Sequence, residues 1–404
     1  MINPSTVLAV YLLTMCGHLA ATLVPERAPA GTLYFSTNGA AANNLVAYDI
    51  NTDGTLKFGG ARWAGGLGAH GIDAPAPTSP DALFSQGSVQ VFGNHVFATN
   101  PGSNTVAMFA INPANSSALS LVGSPVNSGG HFPNAITVSQ QTGHVCVANG
   151  GAVNGIQCFT ADNTFGLKPI PNSFRSLRLN LTSPPVGPAG TVSGVLFSED
   201  GSKLFASVKG YPPTPGFIAT WDVSSKGELS SNFTTSTPAL GGLLPFSMTL
   251  IPGKNALLNT DPGIGFSIFE FAKGDVASST AYPIAKQQAT CWSTYSQKTG
   301  TFFLTDAGTS TVTEVKVNNN LSASILKQYP LAAGSFTLDI SVATINGKDF
   351  LYVLQANATS ISVMSLKGPG RATPVQTYDF AGDCENAGIS LDPNNIQGMS
   401  VFVS

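Results

Sequence analysis

The chain has 404 residues, of which 43% are hydrophobic and only 10% are charged. Its formal net charge is −3, and its 18 lysines and arginines are spread thinly, so no basic stripe is available to bind nucleic acid. The 43 glycines and 27 prolines suit many short strands separated by turns, and the composition excludes a disordered chain. All-β repeat folds of this length often close as one domain, so we expect a single domain over residues 31–404.

An apolar run near the start of the sequence, residues 7–16, has the length of a signal-peptide core and is followed by small residues. We expect residues 1–21 to be a signal peptide, with cleavage between about residues 17 and 30. The run is too short to cross a bilayer, so we expect a secreted, extracellular protein with no membrane association after cleavage. Acceptor triplets for N-glycosylation agree with export and begin at Asn115, Asn180, Asn232, Asn320 and Asn357.

Four cysteines follow this segment. Cys146 and Cys158 fall in consecutive predicted strands, where antiparallel neighbours bring side chains within disulfide reach, so we predict that they are bridged. Cys291 and Cys384 either pair with each other or remain as buried free thiols, because spacing does not decide connectivity.

A unit of three short alternating runs recurs along the chain and is clearest over residues 132–161. Such runs predict a meander of antiparallel strands, and copies of a meander arranged in a ring make a β-propeller. The last residue of the second run recurs at intervals of 45 to 62 residues, which is the spacing of propeller blades. The predicted second strands are residues 33–38, 95–100, 144–149, 204–209, 256–261, 301–306 and 351–356. The predicted first strands are residues 87–91, 135–139, 192–197, 246–251, 289–295, 337–343 and 387–391.

The order of these strands predicts how the ring closes. The chain begins with a second strand, and no full blade follows the first strand predicted at residues 387–391, so one blade should combine both termini. We therefore predict an all-β, seven-bladed β-propeller with four-stranded antiparallel blades. Residues 399–403 look like a further second strand, which leaves an added edge strand or an eighth blade as alternatives. Two long insertions, residues 59–80 and 174–190, are expected to be functional or mobile loops, and no helix of note is predicted.

The repeats resemble a known family. The unit G-x-L-[FY]-V-[TA]-N followed by a V-x-V-F-x-I strand is similar to the repeats of lactonase-type seven-bladed propellers. More closely, the chain resembles the secreted fungal proteins grouped with 3-carboxymuconate cyclase. The matching stretches are residues 85–89 (SQGSV), 100–105 (NPGSNT), 146–151 (CVANGG), 154–158 (NGIQC), 245–248 (PFSM), 290–292 (TCW) and 299–306 (TGTFFLTD).

This resemblance implies an enzyme that closes or opens a lactone, or isomerises an unsaturated acid, in a pocket at the mouth of the central channel. It also implies an inner-strand His that acts with Arg and Glu from neighbouring blades. Relatives that hydrolyse sugar lactones carry a Pro-His-Gln run ahead of an inner strand, where this sequence has TVSG at residues 191–194. His131 precedes an inner strand in a similar way.

The starts of first strands and the ends of second strands share one face of a propeller, so we expect the site there. The candidate catalytic residues are His131, Glu385 and Asp339, because a His titrates near neutrality and a carboxylate can orient it. The alternative is that His131 caps a loop and Glu385 is solvated. The candidate ligand-binding residues are Gln86, Asn134, Ser193, Ser247, Thr290, Trp292 and, in the first insertion, His70.

Oxygen-bearing side chains recur at the ends of the second strands, at Asn38, Asn100, Asn149, Asp261 and Asp306. Such oxygens suit a hard cation such as Ca²⁺, but Asn and Asp before Gly also suit a tight turn, and we favour the turn. We therefore expect no metal and no cofactor.

Cations are scarce near the predicted first strands. Lys286 precedes one of them, and Arg62, Arg175 and Arg178 lie in the insertions. A carboxymuconate, the substrate class that the resemblance implies, carries three carboxylates. Burying such an anion without cationic partners costs several kcal/mol. We therefore expect a neutral or singly charged ligand, unless the insertions fold over the mouth.

Two functions fit these observations. The first is a secreted enzyme that lactonises, opens or isomerises a small organic acid or lactone, using His131 and a carboxylate from a neighbouring blade. The second is a non-catalytic extracellular propeller, a binding protein or surface antigen, which the missing Pro-His-Gln run and the scarcity of cations favour. A structural wall protein has only export in its favour. We expect a monomer whose partner is a small molecule.

Overall fold

Short antiparallel strands make up the computed structural model, which describes residues 29–75, 77–271, 274 and 276–404. Numbered in chain order, the strands of the first part of the chain are β1 (Gly31–Ser36), β2 (Asn44–Ile50), β3 (Leu56–Trp63), β4 (Ile72–Asp73), β5 (Val89–Phe92), β6 (His95–Asn100), β7 (Thr105–Asn112), β8 (Asn115–Leu121) and β9 (Val126–Asn127). The next are β10 (Pro133–Val138), β11 (Val145–Asn149), β12 (Gly155–Asp162), β13 (Gly166–Pro169), β14 (Arg175–Ser176), β15 (Val186–Gly187), β16 (Val192–Phe197), β17 (Lys203–Val208), β18 (Phe217–Asp222) and β19 (Thr234–Ser236).

The second half of the chain continues the same pattern. Its elements are β20 (Met248–Leu250), β21 (Ala256–Asp261), β22 (Gly265–Glu270), β23 (Ser278–Pro283), β24 (Thr290–Ser296), β25 (Thr301–Asp306), β26 (Thr311–Val317), β27 (Ala323–Pro330), β28 (Thr337–Ile345), β29 (Lys348–Gln355), β30 (Ser360–Leu366), β31 (Ala372–Asp379), helix α1 (Ala381–Asn386) and β32 (Gln397–Val403).

The strands form seven antiparallel blades. Blades 1 to 6 are β5–β8, β10–β13, β16–β19, β20–β23, β24–β27 and β28–β31, each with its first strand innermost. The closing blade has the order β32, β1, β2, β3, so the last strand of the chain pairs with the first. The innermost strands contact one another in succession around the ring, including β28 with β32 and β32 with β5. The seven-bladed propeller closed by both termini is confirmed.

The end of the chain differs from the sequence-based prediction. Residues 387–391 form no strand, because α1 precedes them and Gly388, with a positive φ of 73°, turns the chain out of that helix. The inner strand of the closing blade is instead β32, which includes residues 399–403. The predicted first strand at residues 387–391 is therefore wrong, and no eighth blade is present in the described part of the chain.

The hydrophobic core is divided among the interfaces between neighbouring blades. Phe35 and Tyr48 of the closing blade pack with Phe350 of blade 6 and with Phe380, which precedes α1. Trp221 of blade 3 belongs to a cluster shared with blade 2. Because a blade inside the ring is covered on both faces, its inner strands are buried almost throughout, and all six residues of β1 are buried. This explains the short, nearly continuous apolar runs of the sequence.

The cysteines are in two states. Cys146 and Cys158 lie directly opposite each other in β11 and β12 and form a disulfide, as predicted. Cys291 and Cys384 are buried free thiols, so the alternative of a bridge between them is excluded.

The two insertions meet at the mouth of the channel. Residues 59–63 belong to β3, so the first insertion begins after Trp63. Its β4 pairs in parallel with β15 of the second insertion, with Ile72 opposite Val186. We call the side of the ring that holds these insertions and the ends of the second strands the mouth face.

The predicted signal peptide lies outside the described residues. Within the described ranges, no helix has the length and hydropathy that a membrane span requires.

Candidate functional site

A cavity of about 370 Å³ lies on the mouth face. Both insertions and residues from blades 3 to 6 line it. Its walls are largely apolar and include Phe84, Leu244, Phe246, Trp292 and Phe336. Its polar lining consists of Asp73, Ser79, Asp81, Lys209, Gln288 and Cys291. A mainly apolar pocket with a few convergent polar groups is the usual form of a small-molecule site.

Lys209 brings a buried amine to this cavity. It directly follows β17 and is 2% exposed, the only buried lysine among the described residues. Its Nζ donates to the Phe84 carbonyl oxygen at 2.5 Å and to Ser193 Oγ at 3.1 Å, and it lies 4.6 Å from the centroid of the Phe246 ring. Burial lowers the pKa of Lys209 to about 8, although the nearby carboxylate of Asp81 acts in the opposite direction.

Asp81 places a carboxylate beside this amine. It is partly buried in the wall of the cavity and adopts a positive φ of 92° in the loop that leads to β5. Its Oδ1 accepts a hydrogen bond from Gln397 Nε2 at 2.8 Å. Burial raises the pKa of Asp81 to about 8, Lys209 opposes this rise and Asp339 adds to it. Burial therefore moves the pKa values of both Asp81 and Lys209 towards neutral pH.

Gln397 connects the site to the closing blade. It is fully buried at the start of β32, and its Oε1 accepts the backbone N–H of Leu83 at 2.7 Å. Its Nε2 donates to the carbonyl oxygen of Ser85 at 2.6 Å as well as to Asp81. The strand that closes the ring therefore also fixes the loop that presents the carboxylate.

Asp339, a predicted catalytic residue, is buried in the inner strand of blade 6. Its Oδ2 accepts the backbone N–H of Gly398 at 2.8 Å, and burial raises its pKa to about 7. It does not line the cavity, but its charge influences Asp81. Its position suits a group that adjusts the acidity of Asp81 rather than one that touches a ligand.

Phe84 is held by both insertions. It is 1% exposed, with a positive φ of 55°. A Cβ atom on Gly71 would lie 2.2 Å from the Phe84 ring, and one on Gly187 would lie 2.6 Å from it. Glycine at these two positions therefore allows both insertions to pack against the Phe84 ring. The backbone carbonyl group of the same residue accepts the hydrogen bond from Lys209.

His70, a predicted ligand-binding residue, lies within the first insertion. Its Nδ1 is 2.5 Å from the carbonyl oxygen of Gly71, and its Nε2 is 2.9 Å from that of Ser79. The ring thus ties together the two ends of the loop segment that precedes Asp81. His70 therefore stabilises the first insertion and does not line the cavity.

Gln86 crosses the central channel. Its Nε2 donates to the carbonyl oxygen of Ser293 at 2.9 Å, and its Oε1 accepts the Ser293 backbone N–H at 3.0 Å. Ser247 Oγ lies 2.7 Å from Ser293 Oγ. Both predicted ligand-binding residues therefore belong to a network that joins blades 1, 4 and 5 and lies outside the cavity lining.

The other predicted ligand-binding residues have different surroundings. Trp292 is fully buried, lines the cavity and contacts Phe246 edge-on with ring centroids 5.0 Å apart. Ser193 contacts Lys209. Asn134 donates to the carbonyl oxygen of Val192 at 2.8 Å, and Thr290 is buried at the start of β24. Neither of these last two lines the cavity.

His131 and Glu385 are not brought together. His131 is partly exposed between blades 1 and 2, and its Nδ1 is 3.3 Å from Ser183 Oγ of the second insertion. Glu385 is exposed on α1, which joins blade 6 to the closing blade. It was expected just ahead of an inner strand, and that placement is wrong because residues 381–386 are helical. Neither residue lines the cavity.

The Asn and Asp residues at the ends of the second strands hold loops. Asn38 exchanges hydrogen bonds with the backbone of Ala69. Asp261 accepts the backbone N–H groups of Leu243 at 2.8 Å and Leu244 at 2.9 Å, and Asp306 accepts those of the loop before β24. The part of the chain that the structure describes contains no group of three His, Cys, Asp or Glu residues that could hold a metal ion.

The arginines named from the sequence do not reach the cavity. Arg175 donates to the carbonyl oxygens of Leu229 and Ser230 in blade 3, and Arg178 lies close to Asn232. Arg62 is exposed on β3. Among the described residues, Lys209 is the only Lys or Arg that lines the cavity. Although the insertions do fold over the mouth, they bring no further cation.

Lys209, Asp81 and Gln397 were not predicted from the sequence. A signal for Lys209 was present, because it occupies the strand-end position at which five other repeats have Asn or Asp. A lysine in that position departs from turn chemistry and indicates another role. Asp81 lies in a loop, where the sequence has no periodic pattern. Gln397 lies in β32, and the sequence-based prediction had placed residues 387–391, not β32, as the inner strand of the closing blade.

No family model and no curated protein matches the sequence. Among solved structures, the chain is similar to a periplasmic gluconolactonase of Pseudomonas aeruginosa, with 15% identity, a TM-score of 0.66, and coverage of 93% of this chain and 99% of that one. It is similar to a putative 6-phosphogluconolactonase of Bacteroides uniformis, with 14% identity, a TM-score of 0.63, and coverage of 92% and 98%. Another, from Bacteroides fragilis, has 15% identity, a TM-score of 0.60, and coverage of 94% and 100%. Identities this low show that these proteins share the fold of this chain and show no common function.

Proposed function

We propose that this chain is an enzyme that opens or closes the ring of a small lactone in the mouth-face cavity. The observation behind the proposal is the pairing of a buried amine, Lys209, with a carboxylate, Asp81, on the wall of a largely apolar cavity. Titratable groups with strongly displaced pKa values in a cleft are typical of active sites. The fold shared with proteins named as gluconolactonase and 6-phosphogluconolactonase supports the same reaction class.

The two groups have complementary tasks in this reaction. The carboxylate of Asp81 takes a proton from water as the water oxygen adds to the lactone carbonyl carbon. The ammonium of Lys209 stabilises the negative charge that develops on the carbonyl oxygen. When the ring C–O bond breaks, the protonated Asp81 returns its proton to the leaving alkoxide. Ring closure follows the same steps in reverse.

The lining of the cavity favours a substrate with an apolar body. Phe84, Phe246 and Phe336 offer no hydrogen bonds to the ring hydroxyls of a sugar lactone, and Trp292 adds only a single indole N–H donor. A buried hydroxyl without a partner costs roughly 1–3 kcal/mol. A single cation, Lys209, supports at most one negative charge on the substrate. We therefore propose a neutral or singly charged lactone with an alkyl or aryl body.

Turnover of a lactone panel by the purified protein tests this function. The panel contains an aryl-substituted δ-lactone, gluconolactone, its phosphate ester and a carboxylated muconolactone, and we expect the first to be opened fastest. Lys209→Met should lower kcat/KM by about 10²–10³, because the developing oxyanion loses its charged donor.

Lys327→Met is the matched control for this experiment. Lys327 also lies over an aromatic ring, 5.1 Å from the centroid of Tyr329, but it is exposed on β27. Its replacement should leave kcat/KM unchanged. If no lactone is turned over, or if Lys209→Met is as active as the parent protein, the cavity binds a ligand without this chemistry.

We also propose that the protein is exported and glycosylated. The asparagines of all five acceptor triplets, Asn115, Asn180, Asn232, Asn320 and Asn357, are exposed, and a disulfide is compatible with an oxidising compartment. Peptide mass mapping of protein from the culture medium, before and after enzymatic deglycosylation, tests this proposal. Finding the protein only inside cells, with unmodified asparagines, would contradict it.

A further inference from the structure

The hydrogen bonding of Lys209 leaves one position of its nitrogen without a partner. Nζ donates two hydrogen bonds, to the Phe84 carbonyl oxygen and to Ser193 Oγ. Ser193 Oγ in turn lies 3.1 Å from the Pro245 carbonyl oxygen, to which it donates, so it accepts from Lys209. Two donated hydrogen bonds account for both N–H groups of a neutral amine and leave its lone pair free.

The surroundings of Nζ make this neutral form more accessible than it is in an exposed lysine. The side chain is 2% exposed and lies over the Phe246 ring in a cavity with apolar walls. None of the ion pairs within 4.0 Å among the described residues includes Lys209. A lysine that is desolvated in a hydrophobic pocket becomes a nucleophile near neutral pH.

We propose that Lys209 captures small aldehydes and ketones with an apolar body as an imine, an activity separate from lactone opening. The Phe84 carbonyl oxygen and Ser193 Oγ hold the amine, and the cavity of about 370 Å³ accommodates the carbonyl compound. Asp81, on the same wall, is the proton donor and acceptor.

The step balances without a further reactant. The lone pair of Nζ adds to the carbonyl carbon, and the carbonyl oxygen takes a proton from Asp81 to give a carbinolamine. Nitrogen then loses a proton to Asp81, which passes it to the hydroxyl group as the C–O bond breaks. The product is a protonated imine, and its N–H proton returns to Asp81, which is then protonated as at the start. One imine and one water molecule therefore form from one amine and one carbonyl compound.

The acidity of the ammonium supports the same inference. At pH 7 an amine with a pKa of about 8 is neutral roughly 200 times more often than a surface lysine with the ordinary pKa of about 10.4. This difference sets Lys209 apart from the exposed lysines of the chain and gives the experiment its selectivity.

Reductive trapping with benzaldehyde tests the proposal. The full chain is incubated at pH 7 with benzaldehyde and cyanoborohydride, which converts an imine into a stable benzylamine, and modified lysines are located by peptide mass mapping. We expect Lys209 to be modified at least tenfold faster than Lys286, which is exposed on the same face, and Lys327, which shares its contact with an aromatic ring.

Two further measurements make the result decisive. Lys209→Arg retains the positive charge but forms no imine, and it should remove the fast modification while circular dichroism shows an unchanged fold. An aryl lactone that fills the cavity should slow the modification of Lys209 and leave Lys286 unaffected. Modification of Lys209 at or below the rate of the exposed lysines would overturn the proposal. That outcome would leave lactone opening untouched, since lactone opening uses the protonated amine.

Discussion

Asp81→Asn is expected to lower kcat/KM for lactone opening by about 10²–10⁴ and to leave the fold intact. The asparagine side chain cannot accept the proton of the attacking water. Its Oδ1 can still accept the hydrogen bond from Gln397 Nε2, so the loop keeps its anchor. Steady-state kinetics on the best lactone, together with thermal unfolding of both proteins, measures the effect.

The pH dependence of the wild-type enzyme follows from the same pair. The active carboxylate of Asp81 is present above its pKa of about 8, and the active ammonium of Lys209 is present below its pKa of about 8. The profile of kcat/KM should therefore be bell-shaped with a maximum near pH 8. Asp339→Asn removes a negative charge that raises the pKa of Asp81, so the ascending limb should move to lower pH.

Asp222→Asn is the control for these profiles. Asp222 forms a surface ion pair with Lys203 on blade 3, distant from the cavity lining. Its replacement should leave the profile of kcat/KM in place. An Asp81→Asn enzyme with full activity, or an Asp339→Asn profile identical to that of the parent, would remove Asp81 from the mechanism.

A chain that ends at Asn395 is expected to lose its cooperative fold. It lacks β32, the innermost strand of the closing blade, which pairs with β1 from Gly31 opposite Val403 to Ser36 opposite Gln397. Without this strand, the hydrogen-bonding edge of β1 and the apolar surface covered by Met399 are open to solvent. Urea unfolding followed by circular dichroism should show no sharp transition.

Two variants separate ring closure from the site. A chain that ends at Val403 removes only Ser404 and should unfold like the parent protein. Gln397→Ala keeps β32 but removes the hydrogen bonds to Asp81 and to the backbone of Leu83 and Ser85, so it should fold and lose lactone turnover. A cooperative transition in the chain that ends at Asn395 would show that the closing blade does not need its inner strand.

The fold could be predicted from the sequence because each blade has a recognisable pattern of residues along a short stretch of the chain. Alternating apolar runs and turn residues at the ends of the second strands recur with a blade-length period, and antiparallel neighbours placed Cys146 opposite Cys158. The last strand was misplaced because residues 387–391 also form a short apolar run. A short apolar run becomes a strand only if a sheet has an edge with which it can pair. Here β32 pairs with β1, whereas the run at residues 387–391 follows a helix and is interrupted by the turn at Gly388.

The candidate site was only partly accessible. Trp292 lines the cavity and Asp339 lies near the start of an inner strand, whereas His131 and Glu385 lie apart in different connections between blades. Side-chain direction at a strand start depends on local bulges, and such a shift occurs between Thr290 and Ser293 of β24. Sequence spacing does not reveal these shifts.

The amino-acid sequence by itself determined the repeat, the ring and the face on which a site would lie, since all of these follow from local periodicity and turn chemistry. Only the tertiary structure decided which groups meet there. Asp81, Lys209 and Gln397 are more than 100 residues apart, and their burial and mutual distance set their pKa values and contacts. The pKa of each group depends on how far folding removes it from water and on which charges folding places near it, and neither can be read from the order of residues along the chain.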